Sequence, residues 1–314
     1  MTRAYTVTRT DVSPYQAENF VHLEKKLVED LGFHYDLNAQ SPQIMLTNTL
    51  TDMGTIHERF DISQVQLIIH PNSGYDNYPL SFVEKANFPI VLGNPIRAQA
   101  VVEYTLGCLM NHFANIEHRP TWDKKREFNR TLIKGKNVLV VGKGLIGSQL
   151  GLILESIGAV VEYFDPFVIK SPSLKELITH TEVLILTASL NRTSYHLINR
   201  EIFSILKPNI LLINPARGSL MDQKELAKFL TQNVQAFAYL DVFENEPRRD
   251  QELESLTNVC LTSHIAGVHL GLDQSILNFE KEILLNFKML NRPSFEQKYA
   301  SLLLNRRIIN QELI

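Results

Sequence analysis

Short β-branched apolar runs alternate along the chain with stretches whose apolar residues recur every three to four positions. Residues 5–8, 44–47, 65–69 and 90–92 read as strands, the later ones apolar on both faces as in a parallel sheet. Residues 15–31 place Phe20, Leu23, Leu27 and Leu31 at helical spacing. Residues 101–117 predict a long helix, apolar on more than one face, suited to burial against another domain or a partner subunit. The polar run 118–127 reads as a linker or surface excursion. The pattern then restarts, with strands at 137–141, 160–164, 183–186, 210–213, 236–240 and 259–262, and a helix over 145–157. From about residue 274 to 314 the chain reads as helical with no strand of its own. The alternation predicts an α/β protein with two doubly wound parallel sheets.

The first candidate chemistry lies at 142–147, where Gly142-Lys143-Gly144-Leu145-Ile146-Gly147 has the form G-x-G-x-x-G. It follows a strand and opens a helix, the context that gives the pattern meaning. Gly142 permits a tight turn, Gly144 permits backbone approach to a pyrophosphate, and Gly147 permits close helix–strand packing. The helix N-terminus, where Leu145 and Ile146 sit, offers free N–H groups to phosphate. The next strand ends at Asp165, at about the 20-residue interval of a ribose-binding acid. A carboxylate there repels a 2′-phosphate, so NADH is expected over NADPH. Lys143 is read as a solvated side chain.

Length and composition then narrow the class. The 314 residues divide into about two domains of ordinary size. A net charge of −3 gives no electrostatic footprint for nucleic acid and no polybasic membrane anchor. The two cysteines have no metal-ligand spacing, and such sparse thiols suit a reducing compartment. With no apolar signal core at the N-terminus, a cytoplasmic protein without membrane or nucleic-acid partners is expected.

Three later strands run into Asn214-Pro215-Ala216-Arg217-Gly218, Asp241-Val242-Phe243-Glu244-Asn245-Glu246-Pro247 and His264-Ile265-Ala266-Gly267. In a doubly wound fold such strand ends share one rim, where ligands bind. These motifs, in this order after the glycine loop, resemble the D-isomer-specific 2-hydroxyacid dehydrogenase family. Asn72-Ser73-Gly74-Tyr75-Asp76-Asn77 and Val101-Val102-Glu103 resemble two looser family motifs. The resemblance implies a Rossmann cofactor domain inserted into a flavodoxin-like substrate domain. The substrate domain would comprise residues 1–96 and 287–314, the NAD-binding domain 97–286, with the active site in the cleft between them.

It also implies roles. Arg217 would bind the substrate carboxylate and polarise the carbonyl through its fork of donors. His264 would be the general acid/base, oriented by Glu246. Asp241 would hold the nicotinamide carboxamide, with Thr187, Pro215, Ala216, His264 and Gly267 also along the cofactor. The Ser73 and Gly74 backbone would help bind the substrate carboxylate, while Asp76 and Asn77 read as turn formers. No metal is expected. The remaining histidines, His70 and His196 among them, receive no role. The implied reaction is hydride transfer between NAD(H) and a small 2-oxo/2-hydroxy acid of D configuration, in a homodimer.

Two segments depart from the family pattern. Thr187-Ala188-Ser189 replaces the usual H-x-P triplet, and residues 93–100 are altered before the Val101 helix. Arg97 in that segment would either meet a second acidic group on the substrate or lie as a surface residue near the subunit contact. An NAD(H)-sensing regulatory protein is the competing reading; it has no chemical need of Arg217, Glu246 and His264 together. A formate-type dehydrogenase fits less well, because that branch pairs its histidine with Gln.

Overall fold

The computed structural model describes residues 5–116, 121–122, 124–125, 130–168, 170, 172–247, 251–309 and 311–314. The chain divides into two compact units, Met1–Arg97 with Val268–Ile314, and Ala98–Gly267. Most of the expected 118–127 linker lies outside the described residues.

The first unit begins with β1 (Thr6–Arg9), α1 (Phe20–Asp30), β2 (His34–Tyr35), β3 (Ile44–Leu46) and α2 (Ile56–Arg59). It continues with β4 (Leu67–His70), α3 (Leu80–Lys85) and β5 (Ile90–Leu92). Its sheet is parallel throughout, in the order β2-β1-β3-β4-β5, a flavodoxin-like arrangement. Alternate strand residues feed two cores. Val7, Ile44, Leu46, Leu67 and Ile69 join one, while Met45, Ile68, Ile90 and Leu92 join the other. Both faces are thus covered, as parallel sheets require.

The helix α4 (Asn94–Ala114) contains the unit boundary. It starts seven residues before the expected 101, because Arg97 and Gln99 interrupt the apolar pattern without breaking the helix. Gln99 uses its polarity along the helix, donating to Glu103 at 2.8 Å. The buried residues Ala98, Val101, Val102, Thr105, Cys108, Leu109 and Phe113 form one stripe rather than several apolar faces.

The second unit carries β6 (Asn137–Val141), α5 (Leu145–Ser156), β7 (Val160–Phe164), α6 (Leu174–Ile178), β8 (Val183–Leu186) and α7 (Arg200–Phe203). It is completed by β9 (Leu211–Asn214), α8 (Gln223–Gln232), β10 (Phe237–Leu240), α9 (Gln251–Glu254) and β11 (Val259–Leu261). The parallel order is β11-β10-β9-β8-β6-β7. The chain leaves β6 to one side for β7 and then returns past it to β8. That reversal is the switch point at which doubly wound sheets open a crevice beyond the strand ends. Among the described residues no further strand flanks β7, which distinguishes the sheet from a 3-2-1-4-5-6 order. Here too the strands alternate: Leu139, Val141, Leu184 and Leu212 face one core, and Val138, Val140, Ile185 and Leu211 the other.

The chain ends in α10 (Leu272–Met289), α11 (Arg292–Lys298) and a small antiparallel pair, β12 (Ile308–Ile309) with β13 (Glu312–Leu313). The pair corrects the expectation of a strandless C-terminus. All of α10 belongs to the first unit, whereas the sequence reading kept residues up to 286 in the second. The cause is its apolar face: Ile283 and Leu284 enter the core of the first sheet, and Leu272, Ile276 and Leu277 cluster with Phe20 of α1. No described helix is long and apolar enough to cross a membrane.

Candidate active site

The glycine loop stands at the switch point, and its three glycines do different work. Gly142 has φ +96°, and a Cβ there would lie 2.7 Å from the Ala188 nitrogen. At Gly147 a Cβ would lie 2.0 Å from the Gly142 oxygen, so only glycine lets α5 start this close to the loop. A Cβ on Gly144 would meet nothing within 4 Å. This residue is free of protein at the helix N-terminus, which fits a pyrophosphate approaching the backbone. Leu145 is exposed and Ile146 half-buried over the core beneath α5. Thr187 closes the loop from β8, its hydroxyl donating to the Gly142 carbonyl at 2.9 Å. It occupies the position where the family pattern was broken, and it braces the loop from there.

Asp165 follows β7 and accepts the Lys143 N–H at 2.7 Å on Oδ2, and the Phe167 and Val168 N–H groups at 3.2 Å on Oδ1. The carboxylate is held beside the glycine loop with acceptor capacity remaining. Lys143 does not extend freely into solvent, as the sequence reading had it: its Nζ lies 4.4 Å from the Tyr163 ring centroid.

The second rim segment follows β9. Buried Asn214 shapes it, accepting the Ala216 N–H at 3.1 Å and donating to the Arg217 carbonyl at 2.9 Å. Gly218 passes so close to Phe243 that a Cβ would lie 1.9 Å from its carbonyl carbon. Pro215 is buried and Ala216 half-buried in this turn, and the Arg217 guanidinium donates to the Ala216 carbonyl at 2.8 Å.

His264 Nδ1 lies 2.6 Å from Glu246 Oε2, with side chains 42% and 35% exposed. Half-burial raises the Glu246 pKa. The His264 hydrogen bond, the Phe243 N–H at 3.0 Å and the charges of His264 and Arg217 outweigh it and hold the carboxyl below its ordinary value. Glu246 is therefore the acceptor and Nδ1 carries the hydrogen, leaving Nε2 for other chemistry. Among the described residues Nε2 has no hydrogen-bond partner. His264 itself has φ +54°, a left-handed conformation uncommon outside glycine.

Asp241 sustains that conformation. Its carbonyl accepts the His264 N–H at 2.7 Å. Its Oδ1 accepts the Thr262 hydroxyl at 2.6 Å and the Ile265 N–H at 2.8 Å, and Oδ2 accepts the Ala266 N–H at 2.7 Å. The residue is fully buried. This side chain faces inward and clamps the loop that carries His264, Ala266 and half-buried Gly267.

Ser73 and Gly74 lie in the first unit, after β4. Buried His70 holds their loop, its Nε2 donating to the Gly74 carbonyl at 2.9 Å and its Nδ1 2.9 Å from the Thr47 hydroxyl. Among the described residues the buried Ser73 hydroxyl has no hydrogen-bond partner. Asn77 donates to the carbonyls of Asn48 and Thr51, a structural role matching its reading as a turn former. Arg97 is half-buried and donates to the Pro71 carbonyl.

Sequence reasoning missed the supporting residues. Asn214 stood inside a recognised motif, so its position was a usable signal. His70 and His196 had none. His196 lies 2.9 Å from Glu244 and takes the Ser219 carbonyl on its backbone N–H at 2.8 Å, joining two segments of the rim. Among the described residues, no three His, Cys, Asp or Glu side chains are grouped to hold a metal.

Comparison with known proteins fits this geometry. The model of the D-isomer specific 2-hydroxyacid dehydrogenase NAD binding domain matches residues 109–266. A glyoxylate/hydroxypyruvate reductase of Arabidopsis thaliana is 32% identical over 248 residues, spanning 74% of this chain and 76% of that protein. D-Lactate dehydrogenase of Aquifex aeolicus, solved with NAD and lactic acid, superposes with TM-score 0.75 at 17% identity, covering 96% of this chain and 99% of its own. An acyclic imino acid reductase solved with NADPH and D-Arg also gives TM-score 0.75, at 18% identity, covering 90% and 97%.

Proposed function

Because the chain belongs to the D-isomer specific 2-hydroxyacid dehydrogenase family, we propose that it interconverts a small 2-oxo acid and its D-2-hydroxy acid, with His264 as proton donor and acceptor. The observation that carries this reading is the His264–Glu246 pair at 2.6 Å, standing in the field of the Arg217 charge. Glu246 fixes Nδ1–H, so Nε2 is the nitrogen that gives a proton to the carbonyl oxygen in reduction and removes it from the hydroxyl in oxidation. Arg217 binds the substrate carboxylate and polarises the adjacent carbonyl, a task suited to a guanidinium fork.

Gly142, Gly144 and Gly147, with the start of α5, hold the cofactor's pyrophosphate, and Asp165 its adenosine ribose. When bound, the nicotinamide supplies the hydride in reduction and accepts it in oxidation. The carboxylate of Asp165 supports NADH over NADPH. The free thiols of Cys108 and Cys260 suit a reducing, cytoplasmic setting. Two chains pair as a homodimer through α4 in this reading, which sedimentation would test.

The test is NADH oxidation followed by its absorbance over a panel of 2-oxo acids. Turnover is expected with at least one, and His264→Gln should lower kcat by about a hundredfold or more, the usual scale of acid–base catalysis. Parental turnover in His264→Gln would remove its role. NADH binding without turnover across the panel would favour the sensing alternative.

A further inference from the structure

The residue after the Val101-Val102-Glu103 motif of α4 is Tyr104, which lies in the second unit with the catalytic rim. Its hydroxyl is 2.8 Å from the Thr262 hydroxyl, although 158 positions separate the two in sequence. Thr262 follows β11, and its hydroxyl lies 2.6 Å from Asp241 Oδ1. Asp241 in turn accepts the Ile265 and Ala266 N–H groups of the loop that carries His264. A continuous line of hydrogen bonds therefore runs from the middle of α4 to that loop.

The direction of donation along the line is fixed. An ionised carboxylate only accepts, so the single Thr262 hydrogen points to Asp241. The Thr262 oxygen is left as an acceptor, and Tyr104 donates to it. Burial pushes the Tyr104 pKa above its ordinary value, so the phenol keeps its proton. Each hydroxyl polarises the next, and hydrogen bonds aligned in this way strengthen one another. Their end point is the buried Asp241 side chain, beside a His264 backbone held at φ +54°. A second bond also ties α4 to this sheet: Asn111 donates to the Tyr239 hydroxyl on β10 at 2.8 Å. Among the described residues that bond leads no further towards Asp241. Docking α4 on the sheet is a task either hydroxyl serves; reaching the His264 loop is specific to the line through Tyr104.

We propose that Tyr104 is a positioning residue for catalysis: through Thr262 and Asp241, its hydroxyl holds the His264 loop in the conformation that sets the imidazole against Glu246. This role rests on the dehydrogenase reading of His264 and adds α4 to the support of the active site.

Tyr104→Phe keeps the ring and removes the hydroxyl. With a 2-oxo acid that the parent reduces, its kcat should fall about fivefold, the scale of one neutral hydrogen bond, while KM and NADH affinity stay within about twofold. Tyr239→Phe, which removes the other hydroxyl bonded to α4, should keep kcat within about twofold of the parent. Thr262→Ala removes the middle hydroxyl, and in that background Tyr104→Phe should cost nothing further. Thr262→Ser restores the hydroxyl and should recover most of what Thr262→Ala loses. The proposal is overturned by a parental kcat in Tyr104→Phe, by a loss confined to KM or NADH affinity, by an equal loss in Tyr239→Phe, or by additive losses with Thr262→Ala. Each of these outcomes leaves the dehydrogenase reading intact. If no 2-oxo acid turns over, the dehydrogenase reading fails, and amide hydrogen exchange decides the positioning line. Peptides holding Ile265 and Ala266 must then exchange faster in Tyr104→Phe than in the parent and in Tyr239→Phe; equal exchange in all three overturns the proposal.

Discussion

Replacing Asp241 by Asn separates two roles for this residue, one toward the cofactor and one toward the His264 loop. The carboxylate accepts from Thr262, Ile265 and Ala266 at 2.6, 2.8 and 2.7 Å, with no exposed surface. An Asn oxygen kept toward Thr262 and Ile265 retains two of these bonds. Its NH2 group then faces the Ala266 N–H, donor against donor, at a distance of 2.7 Å. One buried N–H left unpaired costs about 1–3 kcal/mol, and changing two bonds from charged to neutral loses about 1 kcal/mol each. The total of roughly 3–5 kcal/mol exceeds what holds a non-glycine residue such as His264 in the left-handed region, a strain of about 1–3 kcal/mol. The loop should relax and carry the imidazole away from Glu246. With a 2-oxo acid that the parent reduces, kcat should fall by about a hundredfold, equivalent to about 2.7 kcal/mol of barrier. NADH affinity, measured by fluorescence titration, should change by less than about threefold, under 0.7 kcal/mol. A parental kcat, or a loss confined to NADH affinity, would refute the clamp and restore Asp241 to the cofactor.

Three further outcomes follow from the same contacts. Gly147→Ala places a Cβ 2.0 Å from the Gly142 oxygen and should lower both stability and NADH affinity, whereas Gly144→Ala meets no protein atom and should lower NADH affinity alone. Calorimetry with titration separates the two, and tight NADH binding by Gly144→Ala would remove the pyrophosphate from that site. Asp165→Ala should raise the NADPH/NADH ratio of kcat/KM by about tenfold, since a carboxylate no longer opposes a 2′-phosphate; an unchanged ratio dismisses Asp165 as the discriminator. In the first unit, Arg9 donates to Glu24 and to Glu280, and all three are buried. Burial, and then the Glu24 charge, raise the Glu280 pKa well above its ordinary value. Glu280 therefore contributes stability that is present below the ordinary carboxylate pKa and is lost as pH rises through its folded value. Glu280→Gln should flatten this decline in melting temperature with rising pH, and Arg9→Met should cost about 3–5 kcal/mol by leaving buried charge unpaired. Equal pH slopes in wild type and Glu280→Gln would contradict the assignment.

How much was legible in the sequence depended on which way a residue's information faces. Buried parallel strands announce themselves, because covering both faces demands unbroken apolar runs such as Leu67-Ile68-Ile69 and Val183-Leu184-Ile185. The pair His34–Tyr35 carries no such run, since β2 is two residues long at the sheet edge. The start of α4 was hidden for a related reason: Arg97 and Gln99 look like a loop until their partners, Pro71 and Glu103, are known. The rim segments were legible as short motifs because each must leave a strand and turn at once, which confines Asn214, Gly218 and the residues around Asp241 to few choices.

The internal roles of the same motifs were not legible, because a motif names a residue without naming the direction of its side chain. Asp241 and Asp165 both end a strand in the second unit, and both read as cofactor ligands. Asp165 accepts three N–H groups from the turn at its own strand end and the adjoining glycine loop while remaining partly exposed. Asp241 accepts from three residues of a different segment and is sealed. The difference lies in the neighbouring strand: β11 runs parallel to β10, so Thr262 and the turn after it arrive beside Asp241. Only the sheet order supplies that adjacency, since Thr262 lies beyond α9 in the chain. The same holds for His70, whose partners Thr47 and Gly74 come from the end of β3 and from its own loop. A buried polar residue in contact with a functional loop is thus a consequence of topology, and its chemistry becomes readable only once the strands that deliver its partners are placed side by side.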